Sequence, residues 1–210
     1  MRLLLLGATG RTGTELLARA TRQGHEVSVV ARDPSRLDAR QRPVRLLTGS
    51  ATDREVIDHA VGGQDAVLCA LGPRSPLELL RSQLMRRSIA TLTESMERHG
   101  VARLILLSAL GVGASHPYAP LSARLAFATI LRQIGRDKRR AEATVRAGPL
   151  DWTIVYPPEL TNGSATGHYR HGEQLRLTGR ASISRADVAE FMLAQLTDVT
   201  YSRRTVIIGP

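Results

Sequence analysis

Three features of the sequence predict a doubly wound α/β fold, with a mostly parallel sheet covered by helices on both faces. Short apolar runs alternate with longer amphipathic stretches from end to end. The runs are apolar throughout, as strands buried on both sides must be. A glycine-rich turn joins the first run to the first amphipathic stretch.

Taken in order, the predicted strands are Arg2–Leu6, Glu26–Ala31, Val44–Leu47, Ala66–Ala70, Arg103–Leu107, Trp152–Tyr156 and Thr205–Ile208. Helical periodicity covers Arg11–Gln23, Arg54–Ala60, Leu77–His99, Ala123–Arg146 and Arg185–Leu196. Gly24, Gly100 and Gly148 follow three of these helices, where a left-handed cap favours glycine. With 210 residues, 42% of them hydrophobic, the chain suits a single NAD(P)-binding domain over 1–210. Two stretches break the alternation: 111–122 and 157–172 are rich in Gly, Pro and polar residues and follow the carboxyl ends of strands. Ligands of open α/β sheets bind there, so both loops are predicted to wall a substrate pocket.

Composition excludes several classes. No run approaches the roughly 18–20 apolar residues of a membrane span. The opening apolar run stops at Gly7, short of a signal-peptide core, so export is not expected. Cys69 is the only cysteine, which fits a reducing cytoplasm and a buried, inert thiol. The net charge of +10 raises nucleic-acid binding, but the arginines are scattered and aromatics make up only 3%, too few for base stacking. Neither nucleic acid nor membrane is an expected partner, and the sequence leaves the oligomeric state open. His168 and His171 have no Cys or carboxylate at ligand spacing, so no metal is expected. One detail of the charge is informative: Lys138 is the only lysine. A chain that otherwise uses arginine has kept one compact ammonium.

The chemistry concentrates at the first turn. Gly7, Ala8, Thr9, Gly10, Arg11, Thr12 and Gly13 form a GxxGxxG motif between a strand and a helix. The first glycine serves the tight turn, the second lets backbone approach a pyrophosphate, and the third allows close helix–strand packing. The second strand ends at Ala31, followed by Arg32. A carboxylate there would bind the ribose of NAD, whereas arginine pairs with the 2′-phosphate of NADP. Arg32 and Arg36 both fit, and NADP(H) is the predicted cofactor. Asp33 keeps NAD open, because a shift of one residue would offer its carboxylate instead. Ala70, Leu71 and Gly72 close the fourth strand at the switch point, with Arg74 just beyond. Ser50 and Pro157 are assigned to the same cofactor site.

These motifs resemble the atypical short-chain dehydrogenase/reductase superfamily, in its NmrA-like and NAD(P)H-binding branch, nearest to the flavin-reductase (biliverdin reductase B) group. The likeness rests on Gly7–Gly13, the Arg32-Asp33-x-Ser35-Arg36-Leu37 segment, Gly63-Gln64-Asp65-Ala66-Val67, Leu71-Gly72-x-Arg74, Lys138, Pro157-Pro158 and Phe191-Met192-Leu193. It implies an NADPH-dependent reductase. It places Ser108, at the end of the fifth strand, and Lys138 at the nicotinamide end of the site. In the wider superfamily a tyrosine four residues before the lysine donates the proton; here that residue is Ile134. A carbonyl reductase needs such an acid, worth about 10²–10⁴ in rate. Flavins, quinones and similar planar acceptors take hydride into a delocalised system without one. The flavin reductase's histidines are replaced by Gln133, Asp137 and Glu159, which argues against tetrapyrrole reduction. Replacement acids are Tyr156, predicted as catalytic with Ser108 and Lys138, and the loop residues His116 and Tyr118. The alternative function is a non-catalytic NADP sensor of NmrA-like type.

Overall fold

β-Branched residues and leucines dominate the short runs, and in the computed structural model each becomes a strand of one sheet. The structure describes residues 1–37, 45–73 and 83–210. In chain order the elements are β1 (Arg2–Leu6), α1 (Arg11–Arg22), β2 (Glu26–Ala31), β3 (Arg45–Thr48), α2 (Arg54–Val61), β4 (Ala66–Cys69) and α3 (Leu84–His99). There follow β5 (Arg103–Leu107), α4 (Leu121–Ala128), α5 (Arg132–Ala147), β6 (Asp151–Tyr156), β7 (Glu159–Thr161), β8 (Arg170–Gly172), β9 (Ser182–Ser184), α6 (Arg185–Ala194) and β10 (Arg204–Gly209). Short 3₁₀ turns occupy Pro34–Arg36 and Gly113–Tyr118.

The main sheet runs β3-β2-β1-β4-β5-β6-β10-β8, parallel except for β8, which pairs antiparallel with β10 at one edge. The order reverses between β1 and β4, the point at which the sheet opens a crevice for ligands. The two-residue period of a strand sends Leu3 and Leu5 to one face and Leu4 and Leu6 to the other. On one face α1 and α6 bring Leu16, Leu17, Val188 and Met192 onto the sheet. On the other, α2, α3 and α5 bring Ile57, Ile89, Leu92 and Val145. Each such fully buried aliphatic side chain contributes about 1.5–3 kcal/mol. The chain is thus a single α/β domain of the expected class.

Several boundaries differ from expectation, each for a local reason. The helix read over Ala123–Arg146 is two helices, because Thr129 (φ −117°, ψ −96°) leaves helical geometry. The break lets α4 fold back so that the Phe127 ring enters between Gly111 and Gly135, where an added methyl would stand 3.1 Å from it at either position. The stretch 157–172 is not plain loop: β7 pairs with β9, and β8 extends the main sheet. The stretch 111–122 holds the 3₁₀ turn and the start of α4. Gly100 is left-handed, but Gly148 is extended (φ −82°, ψ 171°), since Pro149 excludes helical geometry from the residue before it. Val44, positions 77–82 of the third predicted helix, and Arg74 lie outside the described residues.

Candidate functional site

The site begins where β1 stops. Gly7 adopts φ +92°, and a side chain on it would meet the Ala70 carbonyl oxygen at 2.6 Å. A side chain on Gly13 would strike the Gly7 carbonyl, so the first turn of α1 sits directly on the loop. Gly10 is the N-cap of α1 and supplies no side-chain cap, and the first turn carries no acid. The amides of that turn, which have no intrahelical partners, are left to a ligand.

A cavity of about 610 Å³ runs across the carboxyl ends of β3, β2, β1, β4 and β5. Arg32, Arg36 and Ser50 line it on the β2–β3 side, Gly7, Thr9, Gly10, Arg11 and Thr12 in the middle, and Ala70, Leu71 and Gly72 beside β4. Ser108 and Lys138 line it beside β5. All of these positions, assigned from sequence, therefore meet in one cavity of the size that ordinary ligand sites have. Ala8 and Gly13 are buried beneath the loop and do not line it. Nor does Pro157, whose carbonyl accepts from the Leu110 amide at 2.9 Å. Asp33, the residue that kept NAD open, turns its carboxylate to the Ser35 hydroxyl (2.6 Å) and amide (3.2 Å), capping the 3₁₀ turn.

Two cations stand at helix starts, where the helix dipole disfavours them. Arg11 opens α1 and Arg185 opens α6, and both line the cavity. Burial, with the nearby Arg11 charge adding to it, holds the Arg185 guanidinium below its usual pKa. Arg185 donates to the Leu160 carbonyl (3.0 Å) and to Asn162 Oδ1 (2.7 Å). Sequence reasoning passed over Arg185 and Leu160; a cation in a helix's first turn was the available signal.

At the end of the cavity beside β5 the sole lysine is only 8% exposed. Among the described residues no side chain or carbonyl lies within hydrogen-bonding or ion-pairing distance of Lys138 Nζ. Burial lowers its pKa, opposed by the charges of Glu142, Cys69 and Asp137. Asp137, its neighbour, is turned away to cap α3, accepting from the amides of Met85 (2.9 Å) and Arg86 (3.1 Å). Cys69 is fully buried, and burial raises its thiol pKa to about 11, which makes it inert at neutral pH.

Behind Ser108 lies a residue that the sequence did not single out. Glu142, one turn after Lys138 and 3% exposed, accepts from Ser108 Oγ at 2.5 Å and from Tyr156 OH at 2.8 Å. Burial raises its pKa above the usual carboxylate range, opposed by those two hydrogen bonds and by the charges of Lys138 and Arg146. Gly113 closes over it, leaving no room for a side chain between loop and carboxylate. Tyr156 is itself buried, does not line the cavity, and has its phenol pKa raised by burial and by Glu142. Of the other candidate acids, His116 is exposed, and Tyr118 lies under the Arg176 guanidinium, 5.8 Å from its ring centre. His171 Nδ1 is 2.8 Å from Tyr201 OH inside an aromatic cluster, away from the cavity. No group of three metal-ligating side chains occurs among the described residues, and no described helix is long and apolar enough to cross a membrane.

Comparison with known proteins places this geometry. The profile of the NAD(P)H-binding family matches residues 7–199. A (4-alkanoyl-5-oxo-2,5-dihydrofuran-3-yl)methyl phosphate reductase of Streptomyces griseus is 30% identical over 215 residues, covering 99% of this chain and 68% of that protein. The structure of ChuY, an anaerobilin reductase from Escherichia coli O157:H7, superposes with a TM-score of 0.81 at 25% identity, covering 99% of this chain and 96% of that one. A short-chain dehydrogenase/reductase from Veillonella parvula, solved with NADP, shares the fold at a TM-score of 0.79 and 18% identity, covering 100% and 94%. With almost its whole length matched, from the glycine turn to the last helix, this chain belongs to the NAD(P)H-binding family.

Proposed function

We propose that the protein is an NADPH-dependent reductase that passes hydride to a flavin, quinone or similar planar acceptor. The observation that carries the reading is the continuity of one cavity from Arg32 and Arg36 to the buried ammonium of Lys138, which has no hydrogen-bond partner among the described residues. The glycine turn and the Arg11–Arg185 pair suit a pyrophosphate between them. Arg32 and Arg36 suit a 2′-phosphate, and Lys138 suits the hydroxyls of the second ribose. When bound, the dinucleotide supplies the hydride. Ser108 faces the acceptor side of the cavity, backed by Glu142. In its protonated form, which burial favours, Glu142 donates to Ser108 Oγ instead of accepting from it. The Ser108 hydroxyl then passes its own proton to the anion left on the reduced acceptor and takes the Glu142 proton, which solvent restores. Tyr156 acts through Glu142 as a positioning residue, holding the second carboxylate oxygen. The reductase names of the Streptomyces and Escherichia relatives support a reductase reading.

The test is oxidation of NADPH, followed at its absorbance, with FMN, a naphthoquinone and a redox dye as acceptors. Turnover with at least one acceptor, reduced by Ser108→Ala, is expected. Tight cofactor binding without turnover on any acceptor would overturn the reading in favour of a cofactor sensor.

A further inference from the structure

Around α5 from Lys138 lies a second concavity, of about 240 Å³, that the cofactor does not explain. Arg124 of α4, Arg132, Arg136 and Arg139 of α5, and His116 of the 3₁₀ turn line it, with Phe127 among them. The three arginines of α5 follow the i, i+4, i+7 spacing that places side chains on one helix face. That face is held open by the Gly135–Phe127 contact, which sets α4 against α5. A helix-interior glycine costs about 1 kcal/mol relative to alanine, and here it makes room for the ring.

Among the described residues the charge is uncompensated. Between residues 109 and 141 the only acid is Asp137, and its carboxylate is committed to the Met85 and Arg86 amides. Among the described residues none of the four guanidiniums has a carboxylate or hydrogen-bond partner for its side chain, whereas many other arginines of this chain do. Four arginines converging on one concavity, with no counter-ion among the described residues, repel one another, a cost that an anion would remove. The planar fork of arginine matches the oxygens of phosphate in particular.

We propose that this cleft is a second ligand site, which binds a phosphate-class anion independently of the dinucleotide cavity. Two sources share that chemistry. One is a soluble phosphorylated molecule. The other is a phospholipid headgroup, for which Leu121, Leu125 and Ile130, exposed by 66%, 55% and 84%, stand on the same helix and its connector.

Calorimetry of inorganic pyrophosphate on the protein saturated with NADP isolates the cleft, because the dinucleotide cavity is then filled. We expect one further site, whose affinity falls at least tenfold in Arg136→Gln/Arg139→Gln and weakens with added salt. Both residues are exposed, so the double variant should melt as the wild type does and bind NADP unchanged. Co-sedimentation with phosphatidylcholine vesicles, with and without phosphatidylglycerol, separates the sources. Capture by the anionic vesicles alone, lost in the same variant, assigns a headgroup; pyrophosphate binding without capture assigns a soluble ligand. Absence of both, or either one persisting at full strength in the double variant, would overturn the proposal.

Discussion

Lys138 and Glu142 sit one helical turn apart in a place where neither ion is comfortable. Each is buried, the lysine without a protein partner among the described residues and the glutamate with two. Burying an unpaired charge is destabilising, so it persists only where a ligand makes use of it. Lys138→Met should therefore raise the melting temperature of the cofactor-free protein while weakening NADP binding by about tenfold or more, the loss of a charge-assisted hydrogen bond. Melting curves with and without NADP check both signs. For Glu142 the folded pKa is raised, so between the ordinary carboxylate value and that raised value the folded state holds more protons than the unfolded. Its stability contribution is complete below the unfolded pKa and declines as pH rises through the folded one. Glu142→Gln has no such decline. The melting temperature of the variant relative to wild type should increase from about pH 4 to about pH 8, and a flat difference would contradict a raised Glu142 pKa.

At the level of elements, α5 organises the half of the site beside β5. Through Asp137 it caps α3, through Lys138 it reaches the cavity, and through Glu142 it holds β5 and β6 residues together. Asp137→Ala leaves two α3 amides without their acceptor and should cost about 1–3 kcal/mol, with Asp137→Asn recovering part of it. Denaturant unfolding measures both. This helix also marks the limit of what the sequence discloses. Continuous apolar runs locate the seven parallel strands of the main sheet within one or two residues, whereas the three-residue strands β7, β8 and β9 carry no such run and are not legible in the sequence. The break at Thr129 has no such mark: neither Pro nor Gly stands at 129–131, and its cause is Phe127 packing on glycines at 111 and 135. Glu142 was legible only as the acid of the Ala141-Glu142 pair that follows Lys138, with no role attached, because its partners come from strand ends 34 residues before it and 14 after it.

Over the whole molecule, the cavity at the glycine turn was the most legible feature because its lining is largely local. The glycine motif, Arg32 and Arg36 lie within 30 residues of one another, and the fold brings them together at the crevice where the sheet order reverses. The remainder of the site is assembled from distant segments, so the places of Arg185 and Leu160 on the cavity wall and of Glu142 behind Ser108 emerge only with the fold. The central claim is that this crevice holds a dinucleotide with its 2′-phosphate between Arg32 and Arg36. Calorimetric titration of NADPH and NADH into wild type and Arg32→Ala/Arg36→Ala tests it most directly. NADPH should bind about ten- to a hundredfold more tightly than NADH to the wild type, with the gap closing in the variant because NADPH weakens and NADH does not. Equal affinities in the wild type, or a preference for NADPH that survives loss of both arginines, would contradict it.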